Sequence, residues 1–200
     1  MPRVSDQHLA ARRAQILEAA RGCFAREGFH RTSMADILGA AGLSAGAVYR
    51  YFRSKEEIVA AIAGQAGEGL RERLAEVGGA EPPPPPAEVL EAVLAFVDSQ
   101  ARPEGSLRIA LQVWAEALRD PALAARVEET YAMLRDGLVL ACRRAQEAGS
   151  LPPDADPDAV GRVLFSLVPG YVLRRLLMSE PLTPATFVAD LSPMLTAPVG

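Results

Sequence analysis

The segment "YRYFRSK", residues 49–55, gathers three of the chain's eleven aromatic residues, two arginines and its single lysine. Tyr49 and Tyr51 each combine a flat apolar body with a hydroxyl tip. Arg50 and Arg53 offer forked guanidinium donors, and Lys55 a compact ammonium. Side by side, these groups suit the gripping of a polar, negatively charged partner. Signs of bond-making chemistry are missing. The only two histidines, His8 and His30, both lie upstream, and the sequence has no HExxH, CxxC, G-x-S-x-G or phosphate-binding loop. Asp154, Asp156 and Asp158 in "DADPDA" imitate the start of a calcium loop. The sixth position is Ala159 rather than Gly and the twelfth is Phe165 rather than Glu, so helix capping explains the run better. Neither a metal, a cofactor nor an enzymatic activity is expected.

The net charge of −4 conceals a division. Nine of the 21 basic residues but only four of the 25 acidic ones fall within residues 1–55, giving +5 there and −9 in the remainder. A small polyanion-binding head on an acidic body would show this asymmetry. Two cysteines, Cys23 and Cys142, make no disulfide framework. We find neither an apolar stretch of about 18 residues nor a secretion signal, so a cytoplasmic protein without a membrane segment is expected.

Apolar spacing is helical almost throughout, and strand alternation and hairpin turns are absent. About nine helices are predicted. The first runs from about Asp6 to Glu27 and stops at Gly28. The second follows Thr32-Ser33 and stops at Gly42. A very short third, Ala45 to about Phe52, is capped by Ser44. The fourth starts behind Ser54, with Glu57 completing a capping box. Five prolines within "GGAEPPPPP" form a stiff spacer before the fifth helix. Pro121, Pro157 and Pro184 each open a later helix behind Asp120, Asp156 and Thr183, and Pro169-Gly170 is expected to kink the eighth.

On the third helix, Val48 and Phe52 share a face and can pack inward, with Leu43 beside them. Tyr49 rotates away, flanked by Ser44, Ala45 and Arg50. That outer side offers a hydroxyl, a methyl, phenols and a guanidinium, groups able to read base edges and grip phosphates in a major groove. Lys55 is badly placed for its own helix. A cation in the first turn opposes the macrodipole by roughly 0.3–1 kcal/mol, and a phosphate ligand would convert that liability into an asset.

From Ile16 to Ile58, "ILEAARGCFAREGFHRTSMADILGAAGLSAGAVYRYFRSKEEI" resembles the helix-turn-helix DNA-binding domain of the TetR family of bacterial transcriptional regulators. The matching motifs are F-x-x-x-G at Phe24–Gly28, the hydroxyl pair Thr32-Ser33, I-x-x-x-A-G at Ile37–Gly42, and Y-x-[YH]-F-x-[SN]-K at Tyr49–Lys55. "VWAEALRDPALAARVEETY" is similar to one TetR-type C-terminal subgroup. The resemblance implies an all-α fold with a three-helix head, residues 1–55, and a helical effector-binding and dimerisation domain, residues 56–200. It implies that Thr32, Ser33, Ser44, Ala45, Gly46, Tyr49, Arg50 and Tyr51 face DNA, and that Tyr51 and Lys55 hold phosphates.

The expected partners follow. One is a pseudopalindromic double-stranded DNA operator, bound as a homodimer whose contacts come from helices at about 157–178 and 183–196. The other is a small apolar or aromatic effector that releases a repressor from DNA. Candidate lining residues are Phe96, Leu111, Trp114, Tyr131, Met133, Phe165 and Tyr171, with Gln100, Gln112 and Glu116 as polar members. The competing reading is a helical small-molecule-binding protein that never meets DNA. It gives no reason for the basic head or for the Tyr49–Lys55 pattern.

Overall fold

The computed structural model describes residues 6–100 and 106–196, so Arg3, counted in the basic excess, lies outside it. Among the described residues there are nine helices and no strand: α1 (Asp6–Glu27), α2 (Met34–Ala41), α3 (Ala45–Tyr49), α4 (Lys55–Gly78), α5 (Pro86–Ser99), α6 (Ser106–Ala117), α7 (Pro121–Glu147), α8 (Pro157–Leu177) and α9 (Pro184–Thr196). The all-α class expected from periodicity is the class observed.

Local chemistry sets the boundaries. Gly28 (φ 80°) ends α1 in a left-handed conformation that a side chain would strain. Ser33 and Asp36 form a reciprocal capping box at the start of α2. At the start of α4, Ser54 Oγ accepts from the Glu57 amide at 3.3 Å, but the Glu57 carboxylate reaches back to the Arg53 amide at 2.8 Å, one residue earlier than in a standard box. Asp120 and Asp156 cap α7 and α8 through the Ala122 and Asp158 amides, both at 2.9 Å. Capping and an ion pair with Arg143 thus account for two of the three loop aspartates. α8 continues through Pro169 as a single helix.

The chain forms two compact units, which divide it differently from a boundary at residue 55. The first contains residues up to 66 together with 101–127. Its core joins Ile16, Phe24, Ile37, Val48, Phe52 and Ile58 of the N-terminal helices to Ile109 and Val113 of α6 and Leu123 of α7. α6 packs on α1 and so closes the underside of the head. Burying each such side chain contributes roughly 1.5–3 kcal/mol.

The second unit holds residues 67–100 and 128–200. Here α5 packs on α8 and α9. Tyr171 sits fully buried at its centre, edge-to-face with Phe187 at 5.4 Å, and its hydroxyl donates to Asp98 at 2.9 Å. Arg175 donates to the same carboxylate oxygen at 2.9 Å. Burial, with the adjoining Asp98, pushes the Tyr171 phenol pKa up. Glycines permit the tight crossings: a Cβ at Gly161 would stand 2.6 Å from the Val139 Cα, and one at Gly67 would stand 2.8 Å from the Thr130 methyl.

Replacing Gly161 by Ala forces α7 and α8 apart and should cost about 1–3 kcal/mol. Gly64, inside α4 with nothing within 4 Å of its missing Cβ, should gain about 0.5–1 kcal/mol as Ala. Urea unfolding of the two variants checks both signs.

Candidate DNA-reading surface

Five residues make too short a helix to persist alone. Two devices hold α3. The first is the turn before it. Gly42 (φ 63°) lets α2 end in a left-handed turn, with the Gly42 amide on the Gly39 carbonyl (3.2 Å) and the Leu43 amide on the Leu38 carbonyl (3.3 Å). Ser44 then caps α3 by accepting from the Ala47 amide at 3.3 Å. The second device is burial. Val48 is fully buried and Phe52 nearly so, with the Arg13 guanidinium 5.3 Å from the Phe52 ring centroid. Gln15 adds a tie that sequence patterning did not reveal: its Nε2 donates to the Ala41 carbonyl at 2.8 Å, fastening the end of α2 to α1.

With the inner face anchored, the outer face is bare. Ser44, Ala45, Gly46, Tyr49 and Arg50 are all exposed, Tyr49 to 47%. No atom lies within 4 Å of where a Gly46 Cβ would stand. Tyr51 is half-buried and packs against the head core. Ser33 is exposed at the start of α2, where its amide and hydroxyl hold the Asp36 carboxyl below its ordinary range.

Two expected members lie elsewhere. Thr32 does not face outward: it is 2% exposed, and its hydroxyl donates to the Gly28 carbonyl at 2.8 Å, steadying the α1–α2 loop. Lys55 is half-buried and turned into the chain, with Nζ donating to the Phe29 and Thr32 carbonyls at 2.6 and 3.0 Å.

The ten residues expected around an effector are divided between the two compact units, with Glu116 in the first. Leu111, Gln112 and Trp114 belong to the first compact unit, and Phe96, Gln100, Tyr131, Met133, Phe165 and Tyr171 to the second. Gln112 accepts from the Phe29 amide at 2.9 Å and so serves the head. Glu116, expected beside it, pairs with His30 at 2.9 Å. Tyr171 is packed core rather than cavity wall, because its ring and its hydroxyl are both already engaged. Phe96, Gln100, Tyr131, Met133 and Phe165 are half-buried in the second unit, where Tyr131 and Phe165 meet edge-to-face at 5.5 Å.

Comparison with known proteins fits this geometry. Residues 16–62 match the family described as bacterial regulatory proteins, tetR family, and residues 85–197 match the BetI-type transcriptional repressor C-terminal family. The HTH-type transcriptional repressor Rv1474c of Mycobacterium tuberculosis is 32% identical over 193 residues, covering 96% of each chain. The HTH-type transcriptional regulator UidR of Escherichia coli K12 is 29% identical over 187 residues, covering 92% of this chain and 90% of its own. Among solved structures, the SmeT–triclosan complex superposes with a TM-score of 0.73 at 26% identity, covering 92% of this chain and 90% of that one; SmeT represses a multidrug efflux pump of Stenotrophomonas maltophilia. The two family models match residues 16–62 and 85–197, and a 32% identical repressor covers 96% of the sequence: the chain belongs to the TetR family of ligand-responsive, DNA-binding transcriptional regulators.

Proposed function

We propose that this regulator is a repressor that occupies a pseudopalindromic operator as a homodimer and leaves it when a small apolar or aromatic effector binds. The observation that carries the reading is the two-sidedness of α3, with Val48 and Phe52 buried behind Ser44, Ala45, Gly46, Tyr49 and Arg50. In the major groove, Ala45 and Gly46 let the backbone approach closely, Tyr49 meets base edges or thymine methyls, and Arg50, Tyr51 and Ser33 grip phosphates.

The dimer reading rests on α8. Val163, Leu173, Leu177 and Met178 are exposed although large and apolar. Val163, Ser166, Gly170, Leu173 and Leu177 recur at intervals of three and four, which places them along one helix face. Pairing that face and α9 with a second copy, in an isologous four-helix arrangement, covers the apolar stripe. Two heads then address half-sites about 34–36 Å apart. For the effector, we assign the aromatic and thioether groups of the second unit, Phe96, Tyr131, Met133 and Phe165, with Gln100 as a polar member. Triclosan, bound in the SmeT complex, exemplifies the ligand class.

Selection of bound duplexes from random DNA should return an inverted repeat with half-sites about one helical turn apart; recovery of no sequence preference counts against the operator. Tyr49→Ala should abolish binding to the selected duplex while stability stays within about 0.5 kcal/mol. Phe52→Ala, by contrast, should unfold the head with a loss of about 3–5 kcal/mol. Leu177→Arg should turn a sedimenting dimer into a monomer and remove operator affinity with it.

A further inference from the structure

Val48 and Phe52, the side chains that anchor α3, sit near its end and just beyond it. Its first residues, Ala45 and Gly46, are exposed and bury no side chain. The start of α3 is therefore placed by the chain that leads into it from Ala41, the last residue of α2. Leu43 gives that chain an apolar foothold, half-buried against the head core. The Ala41 carbonyl gives it a polar one.

The last four carbonyls of a helix have no partner inside it. In α2 they belong to Leu38, Gly39, Ala40 and Ala41. The turn itself uses the first two: the Gly42 amide donates to Gly39 (3.2 Å) and the Leu43 amide to Leu38 (3.3 Å). Ala41 is served from α1, where Gln15 Nε2 donates to its carbonyl at 2.8 Å across 26 positions of sequence. The Gln15 amide is itself oriented. One turn earlier in α1, Arg12 Nη1 donates to Gln15 Oε1 at 2.8 Å. A guanidinium only donates and a carbonyl only accepts, so one of the two placements of the amide satisfies both partners. Two residues before Gln15, the Arg13 guanidinium stands 5.3 Å from the Phe52 ring centroid, at the other end of the same segment. α1 thus holds residues 41–52 at both ends, by a hydrogen bond at the entry and a ring contact at the exit.

We propose that Gln15 is a positioning residue for DNA reading: by holding the Ala41 carbonyl it fixes the α2–α3 turn, and with it the angle at which α3 presents Tyr49. The proposal rests on the DNA-reading role assigned to α3 and extends it to a side chain of α1, ahead of the helix-turn-helix. Gln15 acts through Ala41 and needs no contact of its own with the duplex. Contacts to base edges carry the sequence information, whereas phosphate contacts are the same on any duplex. A tilted α3 therefore loses discrimination between sequences before it loses affinity for DNA as such.

The experiment uses the full-length protein, a duplex recovered by selection and a random-sequence duplex of the same length. Gln15→Leu removes the donor at unchanged charge and similar size. It should lower the ratio of selected to random affinity about tenfold, the factor equivalent to one hydrogen bond of ordinary net strength. Its salt slope on the random duplex should match the wild type, because no phosphate contact is lost. A ratio equal to the wild type overturns the proposal. Gln15→Glu keeps the shape but at neutral pH has no proton to donate. It should lower the ratio likewise; its added charge weakens both duplexes together, so the ratio still reports the donor. Full discrimination by Gln15→Glu overturns the proposal even if Gln15→Leu fails to fold. Hydrogen exchange separates positioning from general support of the head. In either variant, amides from Gly42 to Val48 should exchange faster while those from Ile16 to Phe24 keep their wild-type rates, and uniform acceleration through the head overturns the proposal. A wild type that does not distinguish the two duplexes defeats the DNA-reading role itself, and that result is read before any variant is made.

Discussion

The burial of Val48 and Phe52 is the constraint on which the proposed reading surface depends. A helix of five residues carries too few internal hydrogen bonds to offset the conformational entropy of ordering it. Tertiary packing supplies the difference, and it does so from one side only. The same packing that makes α3 exist therefore fixes which of its residues point away from the protein. Caps at Ser33 and Ser44 and the left-handed glycine at 42 refine the geometry, but without the inner anchor they would hold nothing.

The head is larger than the helix-turn-helix motif. α6 contributes Ile109 and Val113 to its core and Gln112 and Glu116 to its loop, so a helix from the C-terminal half of the chain is a structural member of the N-terminal unit. Lys55 illustrates the economy of the arrangement. One ammonium, unfavourable for the helix it begins, satisfies the carbonyls left over after the helix that ended 28 residues before it.

Most of the helical framework was legible in the sequence, because capping residues and 3.6-residue periodicity act locally. Ser44, Ser54, Asp120, Asp156 and Thr183 mark helix starts by chemistry confined to three or four residues. The division of α3 into inner and outer faces was legible for the same reason. Partnerships across the chain were not. The pattern around Ile109 and Val113 announces burial without naming the neighbour, and nothing near Gln112 points to Phe29. Lys55 showed its adverse position in the sequence, yet the partner that relieves it is defined only by the folded loop. Tyr171 erred in the opposite sense: an aromatic residue on a helix reads the same whether it lines a cavity or fills a core, and only its contacts with Asp98 and Phe187 decide.

The sidedness of α3 also bears on how such a protein can change over generations. Ser44, Ala45, Gly46, Tyr49 and Arg50 touch solvent, whereas Val48 and Phe52 carry the packing. Mutational drift at Ala45, Gly46, Tyr49 and Arg50 spares both the Ser44 cap and the packing, so, on the DNA-reading role proposed for these residues, duplicated copies can diverge toward new target promoters without passing through misfolded intermediates.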